Sequence, residues 1–192
     1  MKLNRLVNEA IHIMAPYFEL EIDLKLKRRF PKIGFNLPKT LAWRDGKIDY
    51  VLAGGGYNPL QNIILLPENT NEINGDMIHE VGHWFHRIIN PEIFRRYGYL
   101  KQKTTPLKEE QSQMWAFQYV AESIGDYSTA IYLKGQDALL SPRFTLVRLA
   151  NMDLNEAVQS KQELAEFSSQ VFELSGKSSH IPLDVIKRLK EA

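Results

Sequence analysis

The chain contains no cysteine, which removes disulfides, cysteine zinc sites, iron–sulfur clusters and thiol nucleophiles at once. Any metal must be held by His, Asp or Glu. Charge of one sign is not in excess either: 24 Lys and Arg stand against 23 Asp and Glu, a formal +1 at pH 7, so no global field exists to hold nucleic acid or an anionic membrane. Binding to either would need a local patch. No stretch approaches the roughly 20 apolar residues that span a bilayer. The opening MKLNRLVNEAIHIMAPYFEL interrupts its apolar residues with polar ones and offers no small-residue cleavage site. These absences predict a soluble, cytoplasmic protein with no nucleic-acid and no membrane partner.

What remains is a chain of 192 residues, enough for one domain or one domain with a helical appendage. Leu3, Leu6, Val7, Ala10, Ile11 and Met14 share one helical face, and Pro16 ends that element. From Leu20 to about Pro67 the pattern changes to that of a small sheet. Leu20, Ile22, Leu24 and Leu26 alternate with charges, Asp45-Gly46 divides two apolar segments as a hairpin turn would, and Ile63 to Leu66 reads as a short buried or edge strand. Gly54-Gly55-Gly56 lacks a following Lys-Ser/Thr and reads as a bent connection rather than a phosphate loop. Helical spacing then dominates over Gly75 to Ile89, Glu109 to Lys134, Leu154 to Leu174 and Leu183 to Lys190, with breaks near Pro91, Pro106, Gly135 and Pro142. The fold class is therefore α+β. Residues 1–135 form the domain, and residues 136–192 form a C-terminal helical extension packed on it.

The chemistry concentrates in IHEVGHWFHRIIN, residues 78–90. As a helix it places Ile78, Val81, Phe85, Ile88 and Ile89 on one face and His79, His83 and His86 on the other. His79 and His83, one turn apart, can close on a single Zn(II). Glu80, rotated by about 100°, cannot join them as a ligand but can reach a metal-bound water. This is the HExxH arrangement, in which the acid serves as general base. Asn74 as N-cap and Asp76 in the first turn support the helix start. Gly82 costs about 1 kcal/mol in a helix interior, a cost that close backbone approach beside the two histidines would justify. His86 lies about 10 Å along the axis from His79, too far for both to bind one ion.

HEVGH, preceded by the apolar IILLP and followed by an acidic helix, resembles the zincin metallopeptidases, specifically the gluzincin branch whose third ligand is a glutamate on a later helix. The resemblance covers Asn62 to His86 and, less closely, Glu109 to Ala130. Position 89 is Ile where a metzincin would carry a third histidine. The resemblance implies a zincin-like fold, zinc as cofactor, a peptide or protein substrate, and His79, His83 and a glutamate as ligands. For the glutamate, Glu122 in AESIGDY is favoured: with Asp126 it repeats the ExxxD spacing of gluzincins resembling thermolysin and the HtpX-type peptidases, where the aspartate orients a zinc-bound imidazole. The competitor is Glu109, or Glu110, in EEQSQMWAFQ, which is similar to the box of ImmA/IrrE-type peptidases with Gln113 where those carry Asn.

The expected activity is zinc-dependent peptide hydrolysis with Glu80 as general base, an extended peptide aligning on the Ile63 to Leu66 strand by strand addition. Two other readings stand beside it: an ImmA/IrrE-like regulatory peptidase of a specific repressor, and a non-catalytic zinc-containing binding protein. Activity towards generic unfolded substrates is expected to be low, restrained either by a narrow substrate requirement or by segments outside the motif that cover the cleft. Tyr127 and Tyr132 are candidate oxyanion donors. His12 and His180 read as structural, and Lys25, Lys27, Arg28, Arg29 and Lys32 as a solvated strand edge that discourages aggregation.

Overall fold

A computed structural model describes residues 2–37, 39–44, 47–52, 54–135 and 143–176, with the backbone alone over 39–44 and 47–52. The opening helix α1 (Lys2–Met14) buries Val7, Ala10, Ile11 and Met14, the face predicted from spacing. A 3-10 turn over Ala15–Phe18, with Pro16 in its first turn, ends it. The alternation from Leu20 to Leu26 does not make a strand. Asp23 accepts a hydrogen bond from the Leu26 N–H at 2.7 Å and nucleates the one-turn helix α2 (Leu24–Lys27), whose Leu26 is buried while Leu24 is exposed. A short capping side chain offers the backbone a local partner, and here it prevails over a four-residue period-2 pattern.

Five strands follow: β1 (Lys32–Gly34), β2 (Lys39–Arg44), β3 (Lys47–Leu52), β4 (Gly56–Asn58) and β5 (Ile63–Leu65). β2 and β3 pair antiparallel with Arg44 opposite Lys47; Asp45 and Gly46 lie outside the described residues. The other three form a sheet in the order β1-β5-β4, with β1 parallel and β4 antiparallel to β5. β5 is thus the central strand, and strand addition at Ile63 to Leu66 is excluded because both its edges are taken. The outer strands are β1 and β4, of which β1 packs on α1 and β4 on α3. The turn from β4 to β5 is tied down by Asn58, whose side chain accepts from the Leu60 and Gln61 N–H groups, and by Asn62, which donates to the Arg29 and Phe30 carbonyls.

Under the sheet lies α3 (Gly75–Ile89), capped by Asn74, whose side chain accepts from the Met77 N–H at 2.9 Å. Trp84, fully buried, donates its indole N–H to the Arg29 carbonyl and so fixes α3 against the segment entering β1. Pro91 both stops α3 and opens α4 (Pro91–Lys101), a helix the sequence reading passed over because it took that proline only as a break. α5 (Lys108–Lys134) runs 27 residues and ends at Gly135, which has φ 61°. Beyond residue 142 come α6 (Leu146–Asn151), α7 (Leu154–Gln159) and α8 (Lys161–Ser175), so the single helix expected over Leu154 to Leu174 is interrupted at Ser160. The expected helix at Leu183 to Lys190 and His180 lie outside the described residues. The architecture is α+β, mainly helical with a small three-stranded sheet.

Phe144, Leu146, Leu149, Phe167 and Val171 belong to the same continuous core as Ile78, Val81, Trp84, Ile124 and Tyr127. A chain cut after Gly135 would therefore uncover α5 along much of its length. Such a truncation is expected to lose cooperative unfolding in a denaturant titration, since several large buried side chains, each worth roughly 2–5 kcal/mol, would go with it. A sharp transition at the full-length midpoint would contradict this placement of the core.

Candidate metal centre

The centre is built where α3 crosses α5, and two glycines set the crossing. A Cβ placed on Gly82 would come within 3.2 Å of the Ile124 carbonyl oxygen, 3.3 Å of the Gly125 Cα and 2.7 Å of Ser128 Oγ. The close approach anticipated for Gly82 is thus present, and it is main chain of α5 that approaches. Gly125 carries the complementary gap: a Cβ there would lie 2.5–2.7 Å from Cε1, Nδ1 and Nε2 of His79. The imidazole therefore lies against bare backbone of α5.

Packed this way, His79 Nε2 lies 3.4 Å from Glu122 Oε2, and His83 Nε2 lies 3.9 Å from Glu122 Oε1. One donor atom from each of His79, His83 and Glu122 falls within 4.8 Å of the others, and these three are the group that could hold a metal among the described residues. Two ligands about 2.1 Å from a tetrahedral ion are about 3.4 Å apart, so the His79–Glu122 separation fits a zinc-sized ion as it stands, whereas His83 faces the other carboxylate oxygen and the set must draw together to share one ion. The opposite nitrogen of His79, Nδ1, lies 3.1 Å from Asp126 Oδ1. That contact suits a tautomer with the proton on Nδ1, leaving the Nε2 lone pair towards Glu122. Glu122 and Asp126, one turn apart on α5, thus act on the two sides of one ring.

Glu80 occupies the neighbouring face of α3, 6% exposed, and meets the segment entering β4. A Cβ on Gly55 would lie 2.9 Å from Glu80 Cγ, and one on Gly54 would overlap Asp76 Oδ2. The glycine run is a bare wall over two acidic side chains of the first turns of α3. Farther along the same helix, Tyr57 of β4 packs near Arg87, and burial pushes its phenol up to about 12 against the opposing pull of Arg87 and Arg29.

The remaining candidates are placed elsewhere. Glu109, at the second residue of α5, is about 20 Å along the axis from Glu122 and outside the cluster. Glu110 accepts from the Leu107 N–H and pairs with Lys103, which holds its carboxyl below the usual carboxylate range, an N-terminal cap rather than a ligand. Tyr127 is buried edge-on to Phe167, and the Tyr132 hydroxyl donates to the Ile73 carbonyl, so neither stands as an oxyanion donor. His12 sits on the exposed side of α1, its Nδ1 2.7 Å from the Asn8 carbonyl. Of the basic cluster, Lys25 and Lys27 are exposed on α2 and Arg28 and Arg29 on the turn after it, while Lys32 opens the edge strand β1.

His86 departs most from expectation. Its face of α3 turns into protein, and the ring is fully buried between Phe94, at 4.9 Å, and Phe117, at 5.9 Å between centroids. Neither ring nitrogen has a hydrogen-bond partner, and burial, assisted by His83, pushes its imidazole down to about 3. Sequence reading also missed Gly125 and Gly55, although a glycine inside the ExxxD segment was a visible signal of close packing. Compared with known proteins, the chain matches no family model, no curated protein and no solved structure, so the chemistry of this centre is argued from its own geometry.

Proposed function

We propose that the protein is a zinc-dependent metallopeptidase of zincin-like build, with His79, His83 and Glu122 as ligands and Glu80 as general base. The observation that carries this reading is the pair of separations, 3.4 and 3.9 Å, between the two Nε2 atoms and the Glu122 carboxylate, with Asp126 on the far side of the His79 ring. A bound zinc would supply a polarised water and charge stabilisation for the carbonyl oxygen under attack. The chain's own residues do the rest. Glu80, on the face of α3 next to the two histidines, takes the proton from the attacking water and returns one to the leaving amine. Asp126 keeps the His79 tautomer that presents Nε2. The outer strand β4, entering over Glu80, is the backbone against which an extended peptide would align. A solely structural zinc has no use for an acid held between its histidines, which favours the catalytic reading over a zinc-stabilised binding protein.

The test is a pair of variants. Wild-type protein is expected to retain about one zinc per chain, and His83→Ala to lose it, because one of three protein ligands is gone. Glu80→Gln is expected to keep both zinc and fold while hydrolysis of a peptide-library substrate falls at least about a hundredfold, as for loss of a general base. Wild-type rates from Glu80→Gln protein would remove the peptidase mechanism while leaving the metal site standing.

A further inference from the structure

The run Gly54-Gly55-Gly56 leads into β4, and peptide alignment on that strand does not explain why its entry is built of glycine. Conformation does not supply a reason, since the glycines with positive φ among the described residues are Gly135 and Gly176. Space does. Beyond the 2.9 Å approach to Glu80 Cγ, a Cβ on Gly55 would lie 3.0 Å from Oε1 and 3.4 Å from Cδ of the same side chain, so it would collide along the length of the acid rather than at its tip. A Cβ on Gly54 would instead meet the carboxylate end of Asp76, with its Cγ at 2.7 Å. Two adjacent residues are thus matched to two carboxylates one turn apart on α3.

We propose that Gly55 is a positioning residue for Glu80: the bare main chain at the entry to β4 packs along the acid and sets the direction of its carboxylate. This rests on the reading of Glu80 as the base of the centre. Because Cγ is only two bonds from the helix backbone, it cannot give way to a methyl group at residue 55 without a change of χ1, and a changed χ1 turns the carboxylate to another direction. The three atoms nearest a Cβ on Gly55 all belong to Glu80, and the glycine whose Cβ would bear on His79 is Gly125, on α5. An alanine at residue 55 therefore acts on the base and leaves the metal donors in place.

The experiment uses the full-length protein in four forms: wild type, Gly55→Ala, Glu80→Ala and the double variant. The probe is acetohydroxamic acid, which chelates zinc and donates a hydrogen bond to a neighbouring carboxylate. Zinc-loaded Gly55→Ala is expected to hold zinc within threefold of wild type yet bind acetohydroxamate about tenfold more weakly, the size of a lost charge-assisted hydrogen bond. The double variant should bind the probe no more weakly than Glu80→Ala alone. In metal-free protein, Gly55→Ala should lower the melting midpoint when Glu80 is present and leave it unchanged when residue 80 is alanine. Unaltered probe affinity in Gly55→Ala, a further loss in the double variant, a parallel loss of zinc affinity, or equal destabilisation on both backgrounds would each overturn the proposal. Wild type that holds no zinc, or Glu80→Ala that binds the probe as wild type does, would instead bring down the reading of the centre, and this inference with it.

Discussion

Gly125→Ala is expected to bind zinc at least about a hundredfold more weakly than wild type, although every donor atom remains in the chain. The added methyl would stand 2.5–2.7 Å from three atoms of the His79 ring, so the ring must leave its seat. Leaving it breaks the 3.1 Å contact with Asp126 and moves Nε2 from its place 3.4 Å from Glu122. The metal-free fold should lose little: an imidazole can rotate away, and alanine in place of glycine inside a helix favours the helix by about 1 kcal/mol. Gly82→Ala makes the instructive contrast. Its methyl would meet Ser128 Oγ at 2.7 Å, a hydroxyl held by its bond to the Ile124 carbonyl, and main chain of α5 at 3.2 and 3.3 Å, so the two helices themselves must shift by a few tenths of an ångström. That variant should lose stability and metal affinity together. Competition titration with a zinc chelator, beside thermal melts of metal-free protein, checks both; wild-type affinity in Gly125→Ala would show that the His79 ring does not depend on that seat.

Acid should destabilise the metal-free protein through His86. Its imidazole is held near 3 in the folded chain by burial, against an ordinary value of 6.5. The folded value lies below the unfolded one, so the stability is fully present above about pH 6.5 and is lost as pH falls towards 3, the unfolded chain taking up the extra proton. One proton corresponds to a tenfold change in the folding equilibrium per pH unit, hence roughly a hundredfold between pH 6 and pH 4. His86→Phe, or His86→Leu should phenylalanine overfill the gap between Phe94 and Phe117, removes this dependence. It also removes two buried nitrogens that lack partners, which should raise stability at pH 7 by about 1–3 kcal/mol. Urea titrations of the two proteins from pH 4 to pH 7 measure the difference, in which the remaining titrating groups cancel. Parallel curves would mean that His86 is not held neutral in the folded state.

The outcome at particular residues shows which signals a sequence carries. The phase of α3, its Asn74 cap and the shared face of His79 and His83 follow from helical spacing, because the helix is long enough for a 3.6-residue period to be unambiguous; that Glu122 rather than Glu109 meets them was an expectation of the gluzincin resemblance, which spacing within one helix could not decide. Leu20 to Leu26 misled because four alternating residues fit a strand and a capped turn equally, and Asp23 decided the matter locally. Pro91 was legible as a stop but equally serves as a first helical residue, which hid α4. The place of Ile63 to Leu65 at the centre of its sheet depends on the parallel partner β1, some 30 residues earlier, and no local pattern reports such a pairing. His86 shared a face with the two candidate ligands in projection, yet α4 and α5 close over that end of the helix with Phe94 and Phe117. Distance along the helix separated it from the two candidate ligands' site; only tertiary packing showed that it is fully buried.

The central claim is that His79, His83 and Glu122 form one metal centre, and a zinc-edge anomalous difference map from crystals of the zinc-loaded full-length protein tests it most directly. The prediction is one strong peak per chain about 2.1 Å from Nε2 of His79, Nε2 of His83 and a carboxylate oxygen of Glu122. A map without a peak among these three side chains, or with its peak at Glu109 or another acid, would contradict it.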